Sequence, residues 1–177
     1  MQWLLLGALV ICGFWMVGAY NRVVGLRATI LEAWVQVDGL LERRGQVLET
    51  LAQALWDLSP NGRDSIDALR SAQQQLHTAA QAVRTRPTSA AVASLATAEG
   101  ALNATVARVL NQVESDAALH ANDTVATQML ALFEFGPQLI EKRQRFNQAC
   151  EAYNEAIRQF PTSLLAPVFR FETAGSL

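Results

Sequence analysis

The chain is 177 residues long, 51% hydrophobic and 17% charged, with a formal net charge of −2. This balance, without any block of basic residues, argues against a nucleic-acid partner. Aromatic residues make up only 7% of the chain, and β-branched runs flanked by turns are absent. The composition therefore predicts an all-α protein.

The N-terminal segment is apolar and carries no charge from Trp3 to Tyr20. A run of about 18 such residues can cross a lipid bilayer as one helix. No proline or turn residue follows it closely. The sequence therefore predicts a transmembrane anchor over residues 1–20 that continues directly into the first helix of a domain outside the membrane.

A cleaved signal peptide is the alternative interpretation of this segment. However, no lysine or arginine precedes the apolar run, the run is longer than a usual signal core, and no small-residue cleavage pattern ends it. We therefore favour a retained anchor. Arg22 and Arg27 flank its C-terminal side, so the positive-inside rule predicts a single-pass protein of the cell membrane with its domain in the cytoplasm.

Four stretches of apolar residues spaced three or four apart follow the anchor, and each is typical of a helix with one buried face. Turn and polar residues at 59–62, 87–89 and 115–123 divide them. Because short links force neighbouring helices to be antiparallel, we expect an up-down-up-down four-helix bundle over residues 21–160. The predicted helices cover residues 21–58, 64–85, 88–115 and 123–160.

The fourth stretch contains the Gly136-Pro137 pair. Proline removes a backbone hydrogen bond and clashes with the preceding turn, so we expect a kink near residue 137. Beyond Pro161 the sequence shows no clear period, which predicts an irregular tail over residues 161–177 near the membrane. The predicted core stripe of the fourth helix consists of Leu130, Phe133, Leu139, Phe146, Cys150, Tyr153, Ile157 and Phe160.

Polar residues interrupt the apolar stripes at Arg44, Gln73, Glu99 and Arg143. Counting residues from the far end of the bundle places Asp38 level with Arg143. We hypothesise a polar layer at mid-height in which Asp38 pairs with Arg143 and Glu99 pairs with Arg44. Loss of one partner would then cost about 3–5 kcal/mol. Two interpretations are open, since such a layer can fix the register of the helices or form an ion or substrate site.

The sequence contains no zinc-protease, phosphate-loop, dinucleotide-binding or Cys-x-x-Cys motif. His77 and His120 lie on separate predicted elements and supply no ligand set for a metal ion. We therefore expect no catalytic residues, no metal and no cofactor.

Two segments carry a distinctive pattern of residues. The first contains Tyr20-Asn21, Leu26-Arg27, Ala33-Trp34, Val37-Asp38 and Arg43-Arg44, and the second contains Arg143, Phe146-Asn147, Tyr153-Asn154 and Phe160-Pro161. In order and spacing these motifs resemble the LemA family. The resemblance implies a single-pass membrane protein with a helical-bundle domain and no established catalytic activity.

Tyr20, Asn21, Tyr153 and Asn154 admit two interpretations. They could form a collar that contacts lipid headgroups or a partner. Alternatively, Tyr20 is an interfacial anchor, while Tyr153 packs at the base of the bundle and the asparagines cap polar groups. We favour the second interpretation.

Three functions follow from this sequence. The first is a non-catalytic scaffold that contacts membrane lipid and other protein subunits, self-assembles as a homo-oligomer and organises the membrane. The second is a sensor or adaptor subunit of a membrane enzyme such as a protease. The third is an enzyme with an unrecognised site. The size of the detergent-solubilised protein separates the first two, and turnover by the purified chain would indicate the third.

Overall fold

A computed structural model of the chain describes residues 2–59 and 62–177, and at residues 2, 4–6, 8–10 and 165 it describes the backbone alone. Met1 of the predicted anchor, and Pro60 and Asn61 of the predicted turn, lie outside the described residues. The all-α expectation is confirmed. The six helices are α1 (Gln2–Leu58), α2 (Arg63–Thr85), α3 (Ser89–Ser115), α4 (Ala117–His120), α5 (Asp123–Arg158) and α6 (Thr162–Phe169).

The four long helices form an antiparallel bundle. α1 packs mainly against α5 and also against α2, while α2 packs mainly against α3. α1 has 57 residues and is about 85 Å long. It therefore extends well below the bundle at its N-terminal end. No helix within the described residues is both long enough and apolar enough to cross a membrane.

The core of the bundle is one continuous set of buried side chains from all four long helices. Branched and aromatic residues fill the side contributed by α1 and α5, where Trp34 meets Phe146 edge to face at 5.7 Å between ring centroids. Small residues, among them Ala79, Ala80 and Ala98, are buried on α2 and α3. Since alanine side chains are short, these two helices can approach each other closely.

The link predicted over residues 115–123 contains a short helix, α4. The side chain of Asp116 accepts a hydrogen bond from Ala118 N at 2.9 Å and so caps the first turn of α4. Leu119 from this helix is buried in the core. Asn122 then caps α5 by accepting from Thr124 N at 3.0 Å. The link thus covers the far end of the bundle and directs the chain into α5.

α5 continues without a break through Pro137, where the sequence predicted a kink. The proline cannot donate to the carbonyl oxygen of Phe133, one turn earlier. Both residues are exposed, so water can replace the missing donor. The helix therefore tolerates proline at this position.

The predicted core stripe of α5 is wrong in its first half. Leu130 and Phe133 are 69% and 67% exposed. The residues that face the bundle here are Met129, Leu132 and Phe135, which are half-buried against the core. Phe160, also predicted as core, lies two residues past the end of α5 and is exposed. Large apolar side chains lie on two faces of the first half of α5, and only one of these faces can be buried.

The chain after Pro161 forms α6 and then an extended segment, where the sequence predicted an irregular tail. Arg170 ends α6 in the left-handed conformation, with φ of 52° and ψ of 45°. The following residues return along the base of the bundle, where Ala174 pairs with Thr88 in an isolated antiparallel bridge. Ala174 and Gly175 are buried.

Candidate functional site

A cluster of charged side chains lies inside the bundle at mid-height, as the polar-layer hypothesis requires. The carboxylate of Glu99 on α3 accepts a hydrogen bond from Arg143 on α5 and lies 3.8 Å from Arg44 Nη1 on α1. Arg44 Nη2 donates to Asn103 Oδ1 at 2.7 Å. The Glu99–Arg44 pair is thus present, and Glu99 also binds Arg143.

Two guanidinium groups share one carboxylate in this layer. The side chains of Arg44 and Glu99 are only 13% and 10% exposed. Burial lowers the pKa of Arg44, the Glu99 carboxylate raises it, and the positive charge of Arg143 lowers it further. Arg143 Nε is also buried with no hydrogen-bond partner among the described residues. Glu99 is therefore the group that holds both cations in the interior.

The predicted Asp38–Arg143 pair is wrong. Asp38 Oδ2 instead accepts from Arg84 Nε at 2.8 Å, and Arg84 Nη2 donates to Glu42 Oε1 at 3.0 Å. The hydrogen bond to Asp38 is the main reason that the pKa of Arg84 is raised, with a smaller contribution from Glu42. Asp38 and Arg84 come together because they lie at similar distances from the turn that joins α1 to α2.

Gln73 completes the layer through the backbone, since its Nε2 donates to the carbonyl oxygen of Gly45 at 3.0 Å. A groove of about 610 Å³ runs between α1 and α2 beside these residues and is crossed by the Arg70–Glu49 ion pair. No group of three His, Cys, Asp or Glu residues suitable for a metal ion exists among the described residues. The contacts join one helix to another, which favours the register interpretation of this layer.

A second cluster lies at the base of the bundle, where two asparagines of α5 hold the extended C-terminal segment. Asn154 Nδ2 donates to Ala174 O at 2.9 Å, and Asn154 Oδ1 accepts from Ala174 N at 2.8 Å. Asn147 makes the same pair of bonds with Leu177, both at 2.7 Å. Each amide side chain thus makes the two hydrogen bonds to one residue's backbone that a neighbouring β-strand would make. We call this arrangement the asparagine clamp.

The spacing of the clamp follows from helix and strand geometry. Seven residues of an α-helix rise about 10.5 Å. Three residues of extended chain span about 10 Å. The seven-residue separation of Asn147 and Asn154 therefore matches the three-residue separation of Ala174 and Leu177. The sequence led us to expect that Asn154 caps polar groups, and its bonds to Ala174 confirm this. It did not identify the C-terminal segment as the partner or the same role for Asn147.

The turn between α2 and α3 holds the other edge of the same segment. Gly175 N donates to Pro87 O at 3.0 Å, next to the bridge between Thr88 and Ala174. A Cβ atom at Gly175 would lie 2.7 Å from the Cα atom of Ser89. Only glycine fits this close approach. The C-terminal segment therefore joins α5 to the α2–α3 turn.

The aromatic motif residues pack around the base. Tyr20 meets Phe169 at 4.9 Å between ring centroids, and Phe160 meets Trp15 at 5.1 Å. Tyr153 is buried, and burial is the main cause of its raised pKa. Phe160 precedes α6 across a cis peptide bond to Pro161.

The other motif residues lie on the outside of α1. Asn21 is exposed, and Arg43 Nε donates to Gly39 O at 3.2 Å within the helix. Arg27 is exposed and lines a cavity at the base of the bundle.

Cys150 is buried on α5, and burial raises the pKa of its thiol to about 12. This thiol therefore stays protonated and unreactive at neutral pH.

Comparison with known families gives one match. The family model described as "LemA family" matches residues 33–177, which include the polar layer and the asparagine clamp. No curated protein matches the chain.

Proposed function

Since the chain belongs to the LemA family, we propose that it is a non-catalytic single-pass membrane protein that acts as a scaffold. In this proposal residues 1–20 anchor the chain in the bilayer, on the ground of their uncharged apolar sequence and not of a membrane span found among the described helices, and the bundle lies on the cytoplasmic side. Copies of the bundle associate laterally and so organise the membrane around them.

The single observation that supports the anchoring role is the exposure of large apolar side chains in the N-terminal third of α1. Trp3, Phe14 and Ile11 are 83%, 77% and 70% exposed, although they belong to a run without a charged residue. A helix that is apolar on all sides is typical of a membrane-spanning or fully buried segment. Other parts of the chain begin to cover α1 only where Trp15 contacts Phe160. Lipid is therefore the environment that suits the part of α1 before this contact.

α6 supports the same location of the bilayer. The contact between Phe160 and Trp15 brings the start of α6 to the upper end of the apolar run. Leu164, Val168 and Phe169 of α6 are exposed. A short apolar helix beside a membrane anchor fits the headgroup boundary, where its exposed side chains can enter the acyl region.

The charge at the base supports the cytoplasmic orientation. Arg22 and Arg27 follow the apolar run on α1, while Arg158 and Arg170 approach the same end from α5 and α6. Arginines close to the end of a membrane helix favour the cytoplasmic side.

An apolar stripe on the outside of α5 supports lateral contacts between proteins. It consists of Leu130, Phe133 and Ile140, all exposed, with Pro137 at the intervening position. The spacings of three and four residues place these side chains on one face of the helix. The charges of the polar layer are held in ion pairs with each other, Glu99 with Arg44 and Asp38 with Arg84, which supports a non-catalytic role.

One preparation tests both parts of this role. We expect the full chain to stay in membranes after alkaline carbonate extraction and a variant lacking residues 2–20 to be released. In detergent we expect the full chain to form a large regular oligomer that Phe133→Ser disperses. Gln138→Ser, an exposed change on the same helix but away from the stripe, is the control and should leave the size unchanged.

Two results would contradict the scaffold. If carbonate released the full chain from membranes, residues 1–20 would not be a membrane anchor. A monomer that co-purifies with another membrane protein would instead indicate the adaptor subunit.

A further inference from the structure

A cavity of about 320 Å³ lies at the base of the bundle, and three arginines line it. Arg27 comes from α1, Arg86 from the turn between α2 and α3, and Arg170 from the end of α6. Separate parts of the chain thus bring three arginine residues to the lining of one cavity.

The charge of this cavity is not balanced by its own lining. Glu172 is its one acidic lining residue, against three arginines. Within the described residues, no carboxylate lies within 4.0 Å of the guanidinium nitrogens of Arg27, Arg86 or Arg170. An anion would therefore find guanidinium donors that are not already held in ion pairs.

Two neutral groups add to these donors. Tyr153 lines the cavity, and its phenol is protonated at neutral pH and able to donate a hydrogen bond. Thr88, the N-cap of α3, also lines the cavity. The positive end of the α3 dipole therefore lies beside it.

Arg170 occupies a backbone conformation that favours glycine. Its φ of 52° is in the left-handed region where helices commonly end at glycine. An arginine at this position costs stability relative to glycine. Arg170 is nevertheless one of the three arginines that line the cavity. A residue that keeps an unfavourable backbone conformation is often a functional one.

The cavity lies close to the proposed bilayer surface. Arg27 follows Tyr20 by two helical turns, or about 10 Å. Tyr20 contacts Phe169 and Phe171, and both phenylalanines line the cavity. The headgroup region extends about 5–8 Å beyond the hydrocarbon core on each side. The long arginine side chains can therefore reach it from this level.

We propose that this cavity binds a phosphate ester through Arg27, Arg86 and Arg170. The phosphate belongs to an anionic lipid headgroup or to a soluble phosphate ester, and the lipid source rests on the proposed membrane anchoring. Arginine suits this ligand because its planar guanidinium can donate two parallel hydrogen bonds to phosphate oxygens.

Binding can be measured on the full chain in neutral detergent with two phosphate probes. Binding of glycerol phosphate is detected by the broadening of its ³¹P resonance. Phosphatidic acid is added to the micelles and followed by the rise in Tm, with diacylglycerol as the phosphate-free control. We expect Arg27→Gln, Arg86→Gln and Arg170→Gly each to weaken binding by at least about tenfold, the loss expected for one charge-assisted contact.

Two variants separate binding from folding and from net charge. Arg170→Gly places the favoured residue in the left-handed position, so it should keep or raise the Tm without ligand while it lowers affinity. Arg108→Gln removes an exposed positive charge on α3 outside the cavity and should leave binding unchanged.

Each result has a defined meaning. Binding of both probes, lost in the three cavity variants, supports the site even if the protein proves not to be anchored in a membrane. Binding of phosphatidic acid alone assigns the site to a lipid headgroup. Absence of binding by both probes, or an equal loss in Arg108→Gln, would overturn the assignment.

Discussion

Replacing Glu99 with alanine is expected to lower the free energy of unfolding by about 3–5 kcal/mol, because it leaves the largely buried Arg44 and the partly buried Arg143 without their counter-charge. Glu99 binds Arg143 and lies 3.8 Å from Arg44, whose side chain is 13% exposed. The two guanidinium groups would then repel each other in the interior. For a chain of this size the loss corresponds to a fall in Tm of about 6–20 °C.

Thermal unfolding followed by far-ultraviolet circular dichroism measures this effect. Glu114→Ala changes an exposed glutamate of the same helix and should leave the Tm within a few degrees. Replacing Glu99 and Arg44 together by leucine should recover part of the loss, since it removes both members of the more buried pair and leaves Arg143, whose side chain is 29% exposed, able to reach water. An unchanged Tm in Glu99→Ala would show that the layer contributes nothing to stability.

Replacing Asn154 with alanine is expected to release the C-terminal segment from the base of the bundle. The substitution removes both hydrogen bonds to Ala174, which is buried. Unpaired buried backbone groups cost about 1–3 kcal/mol each, but the segment can detach and become hydrated. We therefore expect a loss of about 1–3 kcal/mol, with faster amide exchange at Ala174 and Leu177 while the helices stay protected.

Hydrogen exchange with site resolution measures this release directly. Gln148→Ala changes an exposed side chain of the same helix and should leave exchange of the segment unchanged. Asn154→Asp keeps an acceptor for Ala174 N but loses the donor to Ala174 O, so its exchange should be intermediate. Full protection of Ala174 in Asn154→Ala would mean that the α2–α3 turn alone holds the segment.

The spacing of apolar residues was enough to predict an all-α fold, because helix periodicity depends on local sequence. Partner choice inside the polar layer was harder. Asp38 precedes Ser59 by 21 residues, and Arg84 follows Gly62 by 22 residues. Counting from the far end of the bundle therefore places Arg84, as well as Arg143, level with Asp38, and we expected Arg143 without considering Arg84.

The first half of α5 shows where periodicity fails. Leu130 and Phe133 lie on one face, while Leu132 and Phe135 lie on another. The sequence offers two possible stripes of similar apolar character. Only packing against the other helices decides between them, and the exposed stripe then becomes available for contacts between proteins.

The asparagine clamp could not be derived from residue patterning. Asn147 and Asn154 bind backbone atoms, which every residue carries, so nothing in the C-terminal sequence identifies their partners. The cavity lined by three arginines could not be predicted from the sequence for a similar reason. Its members are distant in sequence and meet only after α6 returns the chain to the base.

The most direct test of the account concerns the depth of Trp15 in a bilayer. In full-length protein whose other tryptophans are changed by Trp3→Phe, Trp34→Phe and Trp56→Phe, lipids with brominated acyl chains should quench Trp15 fluorescence and aqueous iodide should not. A variant that keeps only Trp56, at the far end of the bundle, should escape the brominated lipids. Quenching of Trp15 by iodide, without quenching by brominated lipids, would contradict the membrane anchor on which the proposed scaffold depends.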